Sequence, residues 1–190
     1  FIILLKQSIR EEKSDTVLIG EVWEDASNKM SYSKKREYLF GYELDSITNY
    51  PLRQLIIEYS KKQISSEYFI KRYKSLLENY PRENFFSTMN MLGTHDTERI
   101  LTILEGKIEQ LKIAVLLQMT LPGVPLIYYG DEAGVKGGKD PDNRKPYPWG
   151  KEDIEVINIY KNLCSLRASE NILKNGDIEF RNSFENILCF

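Results

Sequence analysis

Four short apolar runs alternate with helical stretches along this 190-residue chain, and that alternation limits its fold more than any other feature. The runs are VLIGEVW (17–23), GYELDSITNY (41–50), FFSTMNMLG (85–93) and VPLIYYG (124–130). Each has the length of a strand, and all but the more polar 41–50 are largely hydrophobic along their course, the pattern of strands covered on both faces. A helix is predicted over residues 1–12, with Ile2, Leu5, Ser8 and Ile9 on one face. Pro51 opens PLRQLIIEYSKK, because its ring pre-sets the first helical φ. Ser65 and Ser66 cap EYFIKRYKSLLENY, which Pro81 stops. DTERILTILEG begins on an acid and ends on Gly, both favourable at helix ends. IEQLKIAVLLQMTL and EVINIYKNLCSLRAS complete the helices, on either side of a Gly-, Pro- and Asp-rich loop over 131–150.

Strand followed by helix, repeated, is the sequence form of a parallel sheet covered by helices. The nearly apolar stretch 113–129 is long enough to raise a membrane span. Gln118, Thr120 and the Pro-Gly-Val-Pro break read it instead as helix, turn and strand. Polar groups capable of chemistry stand at the carboxyl end of each run: Glu21, Asn49, the adjacent His95 and Asp96, and the pair Asp131 and Glu132. In a β/α barrel or an open α/β sheet that edge carries the site. Four strand–helix units make half of a closed eight-stranded barrel. The chain opens inside an apolar helical face and closes on IEFRNSFENILCF, which reads as strand, turn and the start of another strand. Both ends are thus expected to continue in a longer protein.

Composition matters here for what it excludes. Lys and Arg number 26 against 28 Asp and Glu, so no basic field exists for nucleic acid and no polybasic patch for a membrane. Cys164 and Cys189 fit no metal-ligand spacing and leave a disulfide open, but so few thiols in a chain this long favour a reducing, cytoplasmic setting over a secreted one.

Each candidate has a plain structural reading. Glu21 could be the first solvated residue after a strand, and His95 a hydrogen-bonded histidine of the fold. GDE at 130–132 could simply start a loop, and Trp23, Tyr147 and Trp149 could pack at a rim. Their recurrence at successive strand ends, in one direction along the chain, favours a site.

GEVWE, LGTHDTER, PGVPLIYYGDEAG and DPDNRKPYPW, in this order, resemble the α-amylase superfamily of glycoside hydrolases, most closely its neopullulanase and cyclomaltodextrinase branch. The resemblance implies an α/β fold: the C-terminal half of a (β/α)8 TIM barrel, strands five to eight, over residues 1–172. Residues 173–190 then begin a β-sandwich domain. It also implies a retaining hydrolase of α-1,4 or α-1,6 bonds in maltooligosaccharides, cyclodextrins or pullulan, with an α-glucan oligosaccharide as partner.

Retention requires an acid to protonate the leaving oxygen and a second carboxylate, about 5 Å away, to attack the sugar carbon. Glu21 matches the family's proton donor, a role favoured by burial and a neighbouring carboxylate. Asp96 matches the carboxylate that supports the oxocarbenium-like transition state, and His95 the imidazole bonded to a sugar hydroxyl. By the same resemblance Trp23 offers an apolar ring face to sugar C–H groups, and Asp140 and Arg144 hold hydroxyls on the non-reducing side. Asn49 and Tyr50 lie near the site with less defined roles. Glu21 and Asp96 are expected within roughly 10 Å of each other, close enough to share one sugar ring.

The departures are informative. The family's nucleophile is an Asp in a Gly-x-Arg-x-Asp stretch, and no such stretch occurs in the 190 residues. Thr94 stands where many relatives have Asn. The chain alone is therefore expected to be inactive and to hold no cofactor, the calcium ligands of relatives lying mostly in the other half. It is also expected to self-associate through the exposed edges of its first and last strands. An oligo-1,6-glucosidase or trehalose-type relative shares these motifs, and a homologue that binds carbohydrate without cutting it is the reading from another class.

Overall fold

The computed structural model describes residues 1–31, 33–181 and 186–190, with the backbone alone at Ser31. Helix α1 (Ile2–Glu12) precedes strand β1 (Ile19–Gly20), and a 3-10 turn (Ala26–Asn28) follows. A small antiparallel hairpin comes next, β2 (Met30–Ser31) with β3 (Lys34–Lys35). Strands β4 (Ser46–Ile47), β5 (Met89–Met91) and β6 (Val124–Leu126) complete the β-structure. Helices α2 (Tyr50–Ser60), α3 (Ser66–Asn79) and α4 (Arg82–Ser87) lie between β4 and β5. Helices α5 (Ile100–Ile103) and α6 (Ile108–Thr120) lie between β5 and β6, with α7 (Ile154–Ser169) and α8 (Ile172–Asn175) after it.

The pairing is parallel and sequential. β1 lies on β4 with Ile19 opposite Ser46. A parallel bridge joins Thr48 to Met89, and β5 lies on β6 from Met89–Val124 to Met91–Leu126. Four neighbours in chain order, joined by helical crossovers after β4 and β5, match the α/β expectation. β1 and β6 each have one strand partner among the described residues.

Local chemistry explains the helix starts. Asn49 accepts the Leu52 N–H, Ser65 that of Tyr68, and Asp153 those of Glu155 and Val156. Helices α2, α6 and α7 then bury Leu52, Ile56, Leu111, Ala114 and Val156 in one core shared with Phe69, Tyr73 and Phe85. Gln118, buried on α6, donates to the carbonyls of Asn90 and Leu126 at 3.0 and 2.9 Å, tying the helix to β5 and β6. No helix among the described residues is long and apolar enough to cross a membrane.

Three expectations need correction. The run 85–93 is not one strand: Arg82–Ser87 is helical, because Pro81 starts a turn that the Phe85 N–H closes onto the Pro81 carbonyl. The helix expected from Asp96 begins only at Ile100, since the Arg99 N–H is drawn away to the Gly137 carbonyl. Asp96 therefore sits in a loop rather than in a helix's first turn. Finally, β1 and β6 are not buried on both faces. Leu18 packs on the core, but Ile19, Val124 and Leu126 stand exposed on the other side. Alternate side chains point to opposite faces, and only one face has helices against it. The strand–turn–strand expected at the C-terminus falls partly on 182–185, outside the described residues; Arg181 donates its backbone N–H to the Cys189 carbonyl at 3.0 Å.

Candidate active site

The carboxyl ends of β1 and β5 converge. Glu21 follows β1 directly, and Gly93–Thr94–His95–Asp96 follows β5. One ligand atom each of Glu21, His95 and Asp96 lie within 4.8 Å of one another, so the expected proximity of the carboxylates is present. All three are exposed, which for Glu21 departs from the expected burial. A cavity of about 280 Å³ lined by Ile19, Glu21, Thr48, Thr94, His95 and Tyr128 opens beside them. A larger one of about 790 Å³, between α4, β6 and α7, touches none of the candidate residues.

The site's hydrogen bonds bring together residues remote in sequence. Tyr50, in the first turn of α2, donates to Glu21 Oε1 at 2.7 Å and lies 3.2 Å from Thr94 Oγ1. Burial raises the Tyr50 phenol first, and Glu21 adds to this against the opposing bond from Thr94, so its pKa stands at about 12. Over the whole neutral range the phenol is therefore a hydrogen-bond donor. Trp23, 48% exposed, stacks on the Tyr50 ring at 3.9 Å and 13°, so its ring is held flat against a buried partner.

His95 Nε2 lies 3.2 Å from Asp96 Oδ2. Arg144 reaches the other oxygen of Asp96 at 3.3 Å while its Nε holds Asp140 at 2.7 Å. The DPDNR loop is thus joined to the carboxylate expected to support the transition state. Asn143, fully buried, spends both amide protons on the carbonyls of His95 (2.7 Å) and Thr97 (2.9 Å).

Beneath this loop lies Arg99, 0% exposed. It donates to the carbonyls of Asn143 (2.7 Å) and Tyr129 and to Asp131 Oδ1 (3.1 Å), with its guanidinium 4.2 Å from the Tyr128 ring centroid. Asp131 is 2% exposed. Burial pushes its carboxyl up to about 7 although Arg99 pulls it down. Gly93 makes room for this pair, since a Cβ there would fall 2.1 Å from Asp131 Oδ2.

Of the sequence candidates, Glu21, His95, Asp96, Trp23, Asp140 and Arg144 are linked into one constellation. Asn49 is corrected: it is 1% exposed, and its amide bonds the Leu52 N–H and Thr88 Oγ1, so it caps α2 rather than facing a sugar. Asp131 is likewise a buried ion-pair partner. Tyr147 and Trp149 pack on each other at 4.5 Å, with Trp149 82% exposed. Thr94, Asn143 and Arg99 support the site without standing among the sequence candidates for it. Their local signal is their place in the quoted motifs, Thr94 and Arg99 in LGTHDTER and Asn143 in DPDNRKPYPW.

The parallel α/β sheet gathers two carboxylates, an imidazole and a stacked indole at its strands' carboxyl ends, the edge that carries the site in β/α folds. The alpha amylase catalytic domain family matches residues 1–156, and the chain belongs to that family, within its neopullulanase and cyclomaltodextrinase-like branch. It is 35% identical over 94% of its length to an amylopullulanase of Thermoanaerobacter thermohydrosulfuricus, and spans 13% of that protein. It is 35% identical over 92% of its length to a cyclomaltodextrinase of Geobacillus thermopakistaniensis, and spans 29% of it. The solved structure of a cyclomaltodextrinase superposes with a TM-score of 0.86 at 32% identity, covering 96% of this chain and 30% of that one.

Proposed function

We propose that this chain supplies the proton donor and the charge-supporting carboxylate of a retaining α-glucan hydrolase, as strands five to eight of its catalytic barrel. Its substrates are α-1,4 or α-1,6 linked maltooligosaccharides, cyclodextrins or pullulan. The observation that carries the reading is the approach of Glu21, His95 and Asp96 to within 4.8 Å at the strands' carboxyl edge. Glu21 protonates the glycosidic oxygen as the C–O bond breaks. Asp96 supports the positive charge that develops on the sugar ring, and His95 and Arg144 with Asp140 hold hydroxyls around it. The nucleophile comes from a segment outside these 190 residues, so the isolated chain is inactive and its open strands favour self-association. Residues 1–172 belong to the barrel and 173–190 to the start of a sandwich domain, in a cytoplasmic protein.

The test uses the longer polypeptide that contains this chain. Glu21→Gln should cut turnover on maltooligosaccharides by several orders of magnitude, yet spare much of the first-turnover rate of fluoride release from maltosyl fluoride, whose leaving group needs no proton; the later hydrolysis of the intermediate, where the same residue acts as base, is left out of that measurement. Asp96→Asn should fail on both substrates. Equal losses for Glu21→Gln on the two would remove it from the proton-donor role, and a bound but uncut sugar in the unmodified protein would favour the binding homologue instead.

A further inference from the structure

Tyr50 has a role that proton counting assigns. Its side chain is 5% exposed and held by the stack on Trp23. A phenol carries one proton, and two oxygens stand within reach: Glu21 Oε1 at 2.7 Å and Thr94 Oγ1 at 3.2 Å. A carboxylate oxygen can only accept, whereas a threonine hydroxyl can also donate. The phenol proton therefore goes to Glu21, and the Thr94 hydroxyl has two acceptors, the phenol oxygen at 3.2 Å and Thr97 Oγ1 at 3.4 Å, of which the nearer phenol oxygen takes its proton. Thr94 Oγ1 in turn accepts the backbone N–H of Asp96 at 3.3 Å. The hydrogen bonds run in one direction, from the Asp96 peptide through Thr94 and Tyr50 to Glu21 Oε1.

That direction constrains the acid. When Glu21 is protonated, one of its oxygens carries the hydrogen and the other remains an acceptor. Tyr50 occupies Oε1 as donor, so the hydrogen resides on Oε2, which has no hydrogen-bond partner among the described residues. We propose that Tyr50 is the positioning residue of the proton donor. It fixes which oxygen of Glu21 delivers the proton, while Thr94 orients the phenol and ties it to the Asp96 loop. The proposal rests on Glu21 being the general acid. In the step itself the Oε2 proton passes to the glycosidic oxygen as the C–O bond breaks, and Glu21 is left as a carboxylate. A hydrogen bond to a carboxylate is stronger than one to a neutral acid. The Tyr50 bond therefore tightens along the reaction and acts on kcat rather than on substrate binding.

Tyr50→Phe keeps the ring and its stack and removes only the hydroxyl. In the longer polypeptide, its kcat on maltooligosaccharides should fall on the order of 10- to 100-fold, the worth of one hydrogen bond to a charged group. KM should change little, and the first-turnover rate of fluoride release from maltosyl fluoride should stay within about twofold. Thr94→Val should show the same substrate-selective loss more weakly, and Thr94→Ser should restore turnover. Should Tyr50→Phe fail to fold, Thr94→Val, which leaves the ring stack intact, carries the same expectation. If Glu21→Gln is substrate-selective while Tyr50→Phe or Thr94→Val loses equally on both substrates, or on neither, the positioning role is wrong and the proton-donor reading stands. If Glu21→Gln is itself unselective, both fall together.

Discussion

Removing the guanidinium of Arg99 tests the network beneath the candidate site. Arg99→Met conserves much of the side-chain length but leaves Asp131, 2% exposed, without its cation, and frees the carbonyls of Asn143 and Tyr129. Breaking one side of a buried ion pair costs about 3–5 kcal/mol, mostly from stranding the partner charge. Lost contacts to the Tyr128 and Tyr129 rings, 4.2 and 4.8 Å away, fall within that range. The cost should depend on pH in a definite direction. The folded pKa of Asp131 is raised to about 7, against about 3.9 in the unfolded chain. Its contribution to stability is therefore fully present below about pH 4 and lost as pH rises through about 7. At pH 8 the unmodified protein holds a charged Asp131 against Arg99, and the variant cannot. At pH 5 the carboxyl is protonated in both, and the loss is that of hydrogen bonds to neutral acceptors and of the ring contacts. Urea unfolding should show the full loss at pH 8 and roughly half of it at pH 5. The double variant Arg99→Met with Asp131→Leu should regain about 2 kcal/mol at pH 8 relative to the single one. A loss below about 1 kcal/mol at pH 8, or the same loss at both pH values, would contradict this account of the pair.

Three further outcomes follow from the geometry. Asn49→Ala should lower unfolding stability by about 1 kcal/mol through loss of the α2 cap; in the longer polypeptide it should leave KM for maltooligosaccharides unchanged, and a large rise would return Asn49 to the sugar site. Gly93→Ala pushes a methyl to 2.1 Å from Asp131 Oδ2 and should destabilise by about 1–3 kcal/mol, seen as a lower thermal midpoint; an unchanged midpoint would mean that the loop yields freely. Arg144→Leu removes half-exposed ion pairs to Asp96 and Asp140 and should change stability by less than about 1 kcal/mol. Its KM for maltooligosaccharides should nevertheless rise more than kcat falls, and the reverse pattern would place Arg144 in the chemical step.

The sequence by itself determined the features that depend on near neighbours. Ser65 signals a helix start because a cap bonds an N–H three residues away. The parallel order of β4, β5 and β6 follows from helical crossovers, which local periodicity reveals, whereas the link from β1 to β4 runs through a 3-10 turn and a hairpin. Chain adjacency alone likewise puts His95 beside Asp96. The same locality explains the misreadings: an apolar stretch such as 85–93 looks alike as the end of a helix or the start of a strand, and the turn opened at Pro81 makes its first residues helical. Only the tertiary structure decided which polar groups are free for chemistry. Asn49 looks equally available in sequence whether its amide faces a sugar or Thr88, 39 residues away. The bond from Tyr50 to Glu21 spans 29 residues, that from Arg99 to Asn143 spans 44, and that from Asn143 to His95 spans 48. Such bonds leave no periodicity along the chain, because they arise where strand ends and loops meet after the sheet has formed.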